Sequence, residues 1–290
     1  MNKLQTILYD LLCNFDEICR KNNIRYYLSG GTNLGALRHK GFIPWDDDAD
    51  IRMPRCEYEK LEKVFDASKP DHLELVSRNR YPSYCSPIPR LMNINTSLVV
   101  RGRMTDGTPH GVFLDILILD PIPRDEDELL QWKKNHYAYT ELLEQPLQIA
   151  SRHANWEALD IEYYRNIRED AKIRGRETVL RELEEKLFTI DEKDSDYYCM
   201  RFGSTWLGIT PIEWYGEPRD ILFEDRMLCV AQKAEFCAYT NYGYEWRYIP
   251  KMDLRIEQEH STFMLEDIDS GNMEREYSQV VDLKRLVEIN

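Results

Sequence analysis

The sequence predicts an α+β protein: a mixed sheet core flanked by helices, interrupted by a helical insertion. Three observations carry this. An apolar helix pattern opens the chain. Residues 111–119 (GVFLDILIL) form a nearly continuous apolar run, the pattern of a strand buried on both faces. Residues 124–200 then turn strongly charged, with helical periodicity.

Taken in order, Leu4, Ile7, Leu8, Leu11, Leu12, Phe15, Ile18 and Cys19 recur at helical spacing, and the helix should end near Asn22-Asn23. Residues 24–29 read as a short strand. Gly30-Gly31 breaks it, and a short helix follows over 32–40. Residues 48–52 suit a strand, and Pro54 opens a helix through about Ala67. Short strands are expected near 73–77 and 96–100, then the central strand, which Pro121 and Pro123 end. A β-like tract covers 205–230, and a helix near 231–241 is stopped by Gly243. The polar tail closes on a possible helix in VVDLKRLVEI. This organisation divides the chain into a core over 1–123, a helical insertion over 124–204, and a C-terminal part over 205–290 that returns to the core.

The 290 residues carry 38 Lys and Arg against 52 Asp and Glu, a net charge of −14. That balance excludes a general nucleic-acid binder, which needs a basic footprint, and adsorption to an anionic membrane surface. A phosphate-bearing ligand would need metal ions or a local basic pocket. No stretch approaches the ~20 apolar residues of a spanning helix, and the N-terminus lacks a signal-peptide core. A cytoplasmic location is therefore expected. The seven cysteines form no CxxC pair and are expected to be free, mostly buried thiols.

The chemistry concentrates in residues 29–51, SGGTNLGALRHKGFIPWDDDADI. A Gly-Gly pair leaving a strand admits a ligand close to the backbone, and the amides that follow can face a phosphate. Thr32 adds a hydroxyl. Side chains alternate along a strand, so Asp48 and Asp50 share a face; Asp46 joins them if the extended geometry starts earlier, and Asp47 points away. Clustered carboxylates resist joint ionisation, and a hard divalent cation, Mg²⁺ or Mn²⁺, removes that conflict. A solvated acidic turn is the competing reading. Asp115 interrupts the apolar strand, and a carboxylate there needs a cation, a metal or several donors. A salt bridge to Arg90 is one solution. The other sets Asp115 on a strand beside Asp48 and Asp50, so that three carboxylates hold metal for phosphoryl transfer.

The run from Gly30-Gly31-Thr32 through Arg38, His39, Trp45 and Asp46-Asp47-Asp48-Ala49-Asp50-Ile51 resembles the signature of the LicD family. That family includes bacterial phosphocholine transferases, is related to fukutin and fukutin-related protein, and belongs to the nucleotidyltransferase-fold superfamily. Residues 90–96 (RLMNINT), Phe223-Glu224-Asp225, and Tyr242-Gly243-Tyr244 on to Pro250 resemble its further blocks. Two departures stand out. Ala49 replaces a larger aliphatic residue, and Asp115-Ile-Leu-Ile-Leu-Asp120 replaces Asp-Ile-Phe-Pro-x-Asp.

The resemblance implies a nucleotidyltransferase-like core and transfer of phosphocholine, or a related phospho-alcohol, from a CDP-linked donor to a cell-surface glycan or its precursor. Asp48, Asp50 and Asp115 would be catalytic and hold Mg²⁺ or Mn²⁺. Gly30, Gly31, Thr32, Arg38, His39, Trp45, Arg90 and Glu224 would line the donor site. Several of these have a plainer alternative. Arg38 could pair with a clustered Asp, His39 could be structural, Trp45 a packing plug, and Glu224 a surface residue. Of the aromatic set Trp206, Trp214, Tyr215, Trp246 and Tyr248, most are expected in the core. Two rival functions remain: NMP transfer from an NTP to a small molecule, and a non-catalytic nucleotide-binding module.

Overall fold

The computed structural model describes residues 1–98, 107–144, 161–202, 206–252 and 265–267. The closing VVDLKRLVEI segment lies outside them.

The chain begins with α1 (Lys3–Lys21). Asn2 and Gln5 form a reciprocal capping box at its start, satisfying backbone donors that would otherwise lack partners. After β1 (Tyr27–Leu28) come α2 (Gly30–His39), β2 (Asp50–Pro54), α3 (Arg55–Ser68), β3 (Leu73–Val76), β4 (Arg90–Asn93), β5 (Thr96–Leu98) and β6 (Val112–Pro121). Three helices follow: α4 (Glu126–Glu144), α5 (Ile161–Arg174) and α6 (Arg176–Leu187). The sheet resumes with β7 (Tyr197–Phe202) and β8 (Trp206–Pro211). A hairpin, β9 (Arg219–Phe223) and β10 (Arg226–Val230), then α7 (Ala234–Tyr242) and β11 (Leu265–Asp267) complete the order.

The main sheet runs β1-β2-β6-β4-β3, with β7 and β8 added beyond β6. Among the described strands, only β2 and β6 pair in parallel. The other main-sheet pairs are antiparallel. The ten-residue β6 shares one edge between two partners: β4 takes its first half and β7 its end. Its residues alternate as a two-sided buried strand requires. Val112, Leu114, Ile116 and Ile118 join the core made by Leu8, Leu11, Leu12 and Phe15 of α1 and Leu61 and Phe65 of α3. Leu117 and Leu119 face the other way, into a cluster with Tyr27, Tyr198 and Tyr215. Each of these large side chains contributes roughly 1.5–3 kcal/mol by leaving water.

The sheet therefore has two unlike faces, and β2 shows what this does to the site. Ile51 and Met53 lie in the α1/α3 core, so Asp50 and Arg52 lie on the opposite face.

The charged helices form their own small core from Trp132, Tyr139, Leu142, Leu143, Val179, Leu180, Leu183 and Leu187, joined to the sheet through Ile122 and Cys199. β7 falls within the stretch whose charge and periodicity read as helical, yet it pairs with β6. Its strand character comes from that partner. β4 is likewise absent from the sequence reading, because RLMN is too short to show a period.

All seven cysteines are free; five are buried, Cys13 is half-buried and Cys56 exposed. No helix among the described residues is long and apolar enough to cross a membrane.

Candidate active site

Strand register assembles the site. Asp50 of β2 stands opposite Asp115 of β6, and Asp115 stands opposite Arg90 of β4. Partnered residues share a face, so Asp50, Asp115 and Arg90 form one row across three neighbouring strands. Arg90 Nε donates to Asp115 Oδ1 at 2.7 Å. Its guanidinium also lies 3.7 Å over the Phe113 ring. The salt bridge is thus one solution that the chain adopts for Asp115, and it leaves Oδ2 of that carboxylate available.

The strand begins only at Asp50, so residues 46–49 are irregular and strand alternation does not govern them. This corrects the expectation for Asp47. It does not point away: carboxylate oxygens of Asp46, Asp47 and Asp48 all lie within 4.8 Å of one another. Asp46 is the most buried of the three, at 7% exposure. The loop is pinned from below by Gln5 of α1, whose Nε2 donates to the Ile43 and Asp46 carbonyls at 3.2 and 3.0 Å.

Asp50 takes the strain of this crowding. Burial first, then the charges of Asp48, Asp115 and Asp46, push its carboxyl well above the usual carboxylate range; Arg52 opposes the shift. A carboxylate raised in this way favours its neutral form unless a cation joins it. The donor set consists of hard oxygens, which fits Mg²⁺ or Mn²⁺. Asp46, Asp47 and Asp48 offer the converging oxygens, and Asp50 offers the unstable charge that a cation would relieve.

The Gly-Gly pair lets α2 approach these carboxylates. Gly30 has φ +49, in the left-handed region that glycine tolerates. A Cβ on Gly30 would lie 2.9 Å from Asp50 Oδ2, and one on Gly31 only 2.4 Å from Asp46 Oδ2. The first turn of α2 therefore sits directly against the cluster, with its amide ends available to an anion. Thr32 supports the arrangement: its Oγ1 accepts the Asp50 N–H at 2.9 Å. Gly31→Ala is expected to displace the Asp46 carboxylate and weaken Mg²⁺ binding several-fold. Metal-free stability should hold or rise, since Ala gains ~0.5–1 kcal/mol over Gly in a helix. Calorimetric Mg²⁺ titration beside a denaturation curve checks both halves.

Comparison with known proteins meets the geometry here. The LicD/FKTN/FKRP nucleotidyltransferase domain matches residues 23–83, the segment from before β1 to the loop after β3. Over this segment the chain is similar to that domain family. It is 30% identical over 138 residues to the lipopolysaccharide cholinephosphotransferase LicD of Haemophilus influenzae, covering 47% of this chain and 50% of that one. Uncharacterized proteins of Rickettsia prowazekii and Rickettsia typhi are each 54% identical over shorter stretches, of 57 and 44 residues. Those stretches cover 20% and 15% of this chain and 21% and 14% of the relatives. The matches thus span half or less of each relative.

The remaining candidate residues separate by position. Arg38 Nη1 donates to the Trp246 and Tyr248 carbonyls at 3.1 and 3.0 Å. Among the described residues it makes no ion pair, and burial pulls its guanidinium below the usual range. It ties α2 to the segment after α7. His39 meets Trp45 edge-on, with ring centres 6.0 Å apart. Trp45 packs against the cluster of Leu34, Ile43, Ala238 and Trp246. Glu224 lies at the β9–β10 turn. Its Oε1 accepts the Phe42 N–H at 3.0 Å, and its own N–H donates to the Lys40 carbonyl at 2.7 Å. It braces the turn after α2. Of the aromatic set, Tyr215 and Trp246 are buried and Tyr248 is exposed.

Two residues at the site escaped the sequence reading. Tyr242, the last residue of α7, places its hydroxyl 4.0 Å from where a Gly30 Cβ would stand. Burial, then Asp46, Asp50 and Asp48, push its hydroxyl's pKa up. Its block was visible as Tyr-Gly-Tyr, but nothing in sequence places it 190 residues away against the carboxylates. Arg52, two residues beyond Asp50 on the same face, is 3% exposed. Nη1 bonds Tyr215 Oη at 3.2 Å, while among the described residues Nε has no hydrogen-bond partner. An Arg on the polar side of an Asp-x-Asp strand was the available signal.

Proposed function

We propose that this chain is a metal-dependent transferase that moves phosphocholine, or a related phospho-alcohol, from a CDP-linked donor to a cell-surface glycan or its precursor. The observation that supports this most is the crowded carboxylate set against the first turn of α2, inside the segment that matches the family. The name of the Haemophilus influenzae relative, a lipopolysaccharide cholinephosphotransferase, supports the donor and acceptor class.

On this reading an acceptor hydroxyl attacks the distal phosphorus of the donor. The new P–O bond forms as the bond to the CMP oxygen breaks, and CMP leaves. Asp46, Asp47, Asp48 and Asp50 would hold Mg²⁺ or Mn²⁺, which would neutralise the diphosphate and the developing charge. The α2 amides face the diphosphate. Asp115, fixed through Oδ1 by Arg90, would use Oδ2 to share a metal or to take the proton of the attacking hydroxyl. Tyr242 Oη, at the rim, would donate a hydrogen bond to the donor or acceptor.

Purified protein with Mg²⁺ should bind CDP-choline or a CDP-alditol, and Asp48→Asn should abolish binding or turnover. CMP release marks phospho-alcohol transfer; pyrophosphate release from CTP would mark nucleotidyl transfer instead. If no CDP compound binds in Mg²⁺ and the Asn variant behaves as wild type, the reading fails. Tyr242→Phe keeps the ring and so the fold. It should lower kcat/KM by about tenfold, the equivalent of ~1.4 kcal/mol, with an unchanged melting midpoint.

A further inference from the structure

A second cavity, of about 340 Å³, lies between the catalytic core and the helices that interrupt it. Arg55 of α3 lines it directly after β2, so it sits roughly 16 Å from Asp50 along the strand, at ~3.3 Å per residue. Ile118 reaches it from the α3 side of the sheet, the face opposite Asp115. It is therefore separate from the carboxylate site. Its volume is near the lower end of ligand pockets, which run from ~300 Å³ upward.

The lining decides the ligand class by elimination. Four glutamates (Glu59, Glu62, Glu184, Glu185) face two arginines (Arg55, Arg78), a net charge of −2. Both arginines already have carboxylate partners. Arg55 Nε bonds Asp120 at 2.6 Å, and Arg78 binds Glu184 and Glu177 at 2.7 and 2.6 Å. A phosphate would meet more negative charge than free positive charge.

An organic cation fares no better. Glu62 is saturated by Tyr58, Ser77 and Asn79, each at 2.8 Å. Glu184 Oε1 accepts from both Arg78 and Tyr139. The aromatic face a cation would choose, Phe188, is covered by the Arg55 guanidinium at 4.0 Å. Glu59 and Glu185 are exposed at the rim, where an ion pair gains at most ~1 kcal/mol.

What the walls still offer is neutral hydrogen bonding beside apolar surface. Glu59 and Glu185 accept, the Thr189 hydroxyl donates and accepts, and among the described residues Arg55 Nη2 is a buried donor without an acceptor. Pro87, Pro89 and Ile118 supply the apolar wall. A sugar ring has this make-up, with hydroxyls around its edge and C–H groups on its faces. We propose that the cavity binds a neutral sugar unit, five of its sixteen lining residues being supplied by the helical segment. Taking that unit to be part of the acceptor glycan, held apart from the reacting hydroxyl, rests on the transferase reading.

The test uses the full chain without metal or nucleotide. Saturation-transfer NMR and calorimetry are run with glucose, galactose, N-acetylglucosamine and N-acetylgalactosamine as probes, and with choline chloride and inorganic phosphate beside them. At least one sugar should bind saturably in the millimolar range. Glu185→Gln and Glu59→Gln, both at exposed positions, should each weaken it about fivefold, equivalent to ~1 kcal/mol, with unchanged melting. Asp48→Asn should bind the sugar as wild type does, so the sugar site and the transferase reading stand or fall separately. Saturable binding of choline or phosphate without any sugar, sugar binding indifferent to both variants, or no saturable binding at all would overturn the proposal.

Discussion

Asp50→Asn is expected to make the metal-free protein more stable while removing its activity. Asp50 sits amid Asp48, Asp115 and Asp46, and burial and those charges push its carboxyl well upward. In the metal-free protein at neutral pH, its ionised form is a cost to folding. An amide of the same shape removes the charge and can donate to a neighbouring carboxylate. The gain should be ~1–3 kcal/mol, the scale of an ill-compensated buried polar group. The same change removes the charge that a cation would neutralise. The Mg²⁺-induced rise in melting midpoint should then vanish, since only a ligand that binds the folded state shifts it. Turnover with a CDP-linked donor should fall by on the order of 10³-fold or more, as for other groups that act on developing charge. Scanning calorimetry with and without Mg²⁺ separates the claims. An Asn variant with a lower metal-free midpoint and an intact Mg²⁺ response would refute this account of the site.

Asp16→Ala is expected to be the most damaging change away from the site. Asp16 lies in α1 and is 1% exposed. It accepts from Tyr26 Oη at 2.8 Å and Arg20 Nε at 2.6 Å, and meets Arg226 Nε at 3.4 Å. Arg20 continues to Asp220 at 2.6 Å. One carboxylate thus fastens α1 to the residue leading into β1 and to the β9–β10 hairpin. Alanine strands the buried Tyr26 hydroxyl, while the two arginines, both partly exposed, can turn to water. The cost should be about 3 kcal/mol, read as a lower urea midpoint with unchanged slope. Asp16→Asn keeps an acceptor for Tyr26 and should cost less. Equal losses in the two variants would show that charge, not the Tyr26 bond, carries the effect. The consequence reaches the site, because α1 also supplies Gln5 beneath the carboxylate loop.

Much of this architecture was legible in the chain. The α1 stripe, the apolar β6 and the charged helices all show long periods, and long periods survive any tertiary context. The Gly-Gly turn and the aspartates are contiguous, so their proximity needed no fold. Shorter elements were not legible. β4 has four residues, and β7 falls inside the tract assigned to the helical insertion; each is a strand because a neighbour completes its hydrogen bonds. Asp47 was misplaced for the same reason. Alternation was applied to residues 46–49, where no partner strand imposes it.

The sequence by itself determined which groups carry the chemistry: a run of carboxylates, a glycine pair that admits them, and one further Asp set in an apolar strand. Only the tertiary structure decided how they are shared out. Parallel register of β2 with β6 set Asp50 beside Asp115, and antiparallel register of β4 gave Asp115 to Arg90. α7 brought Tyr242 to the rim, and the helical segment closed a second cavity against α3. Local pattern fixes what a residue type can do. Long-range pairing fixes which partner it meets, because that depends on strands and helices distant in the chain.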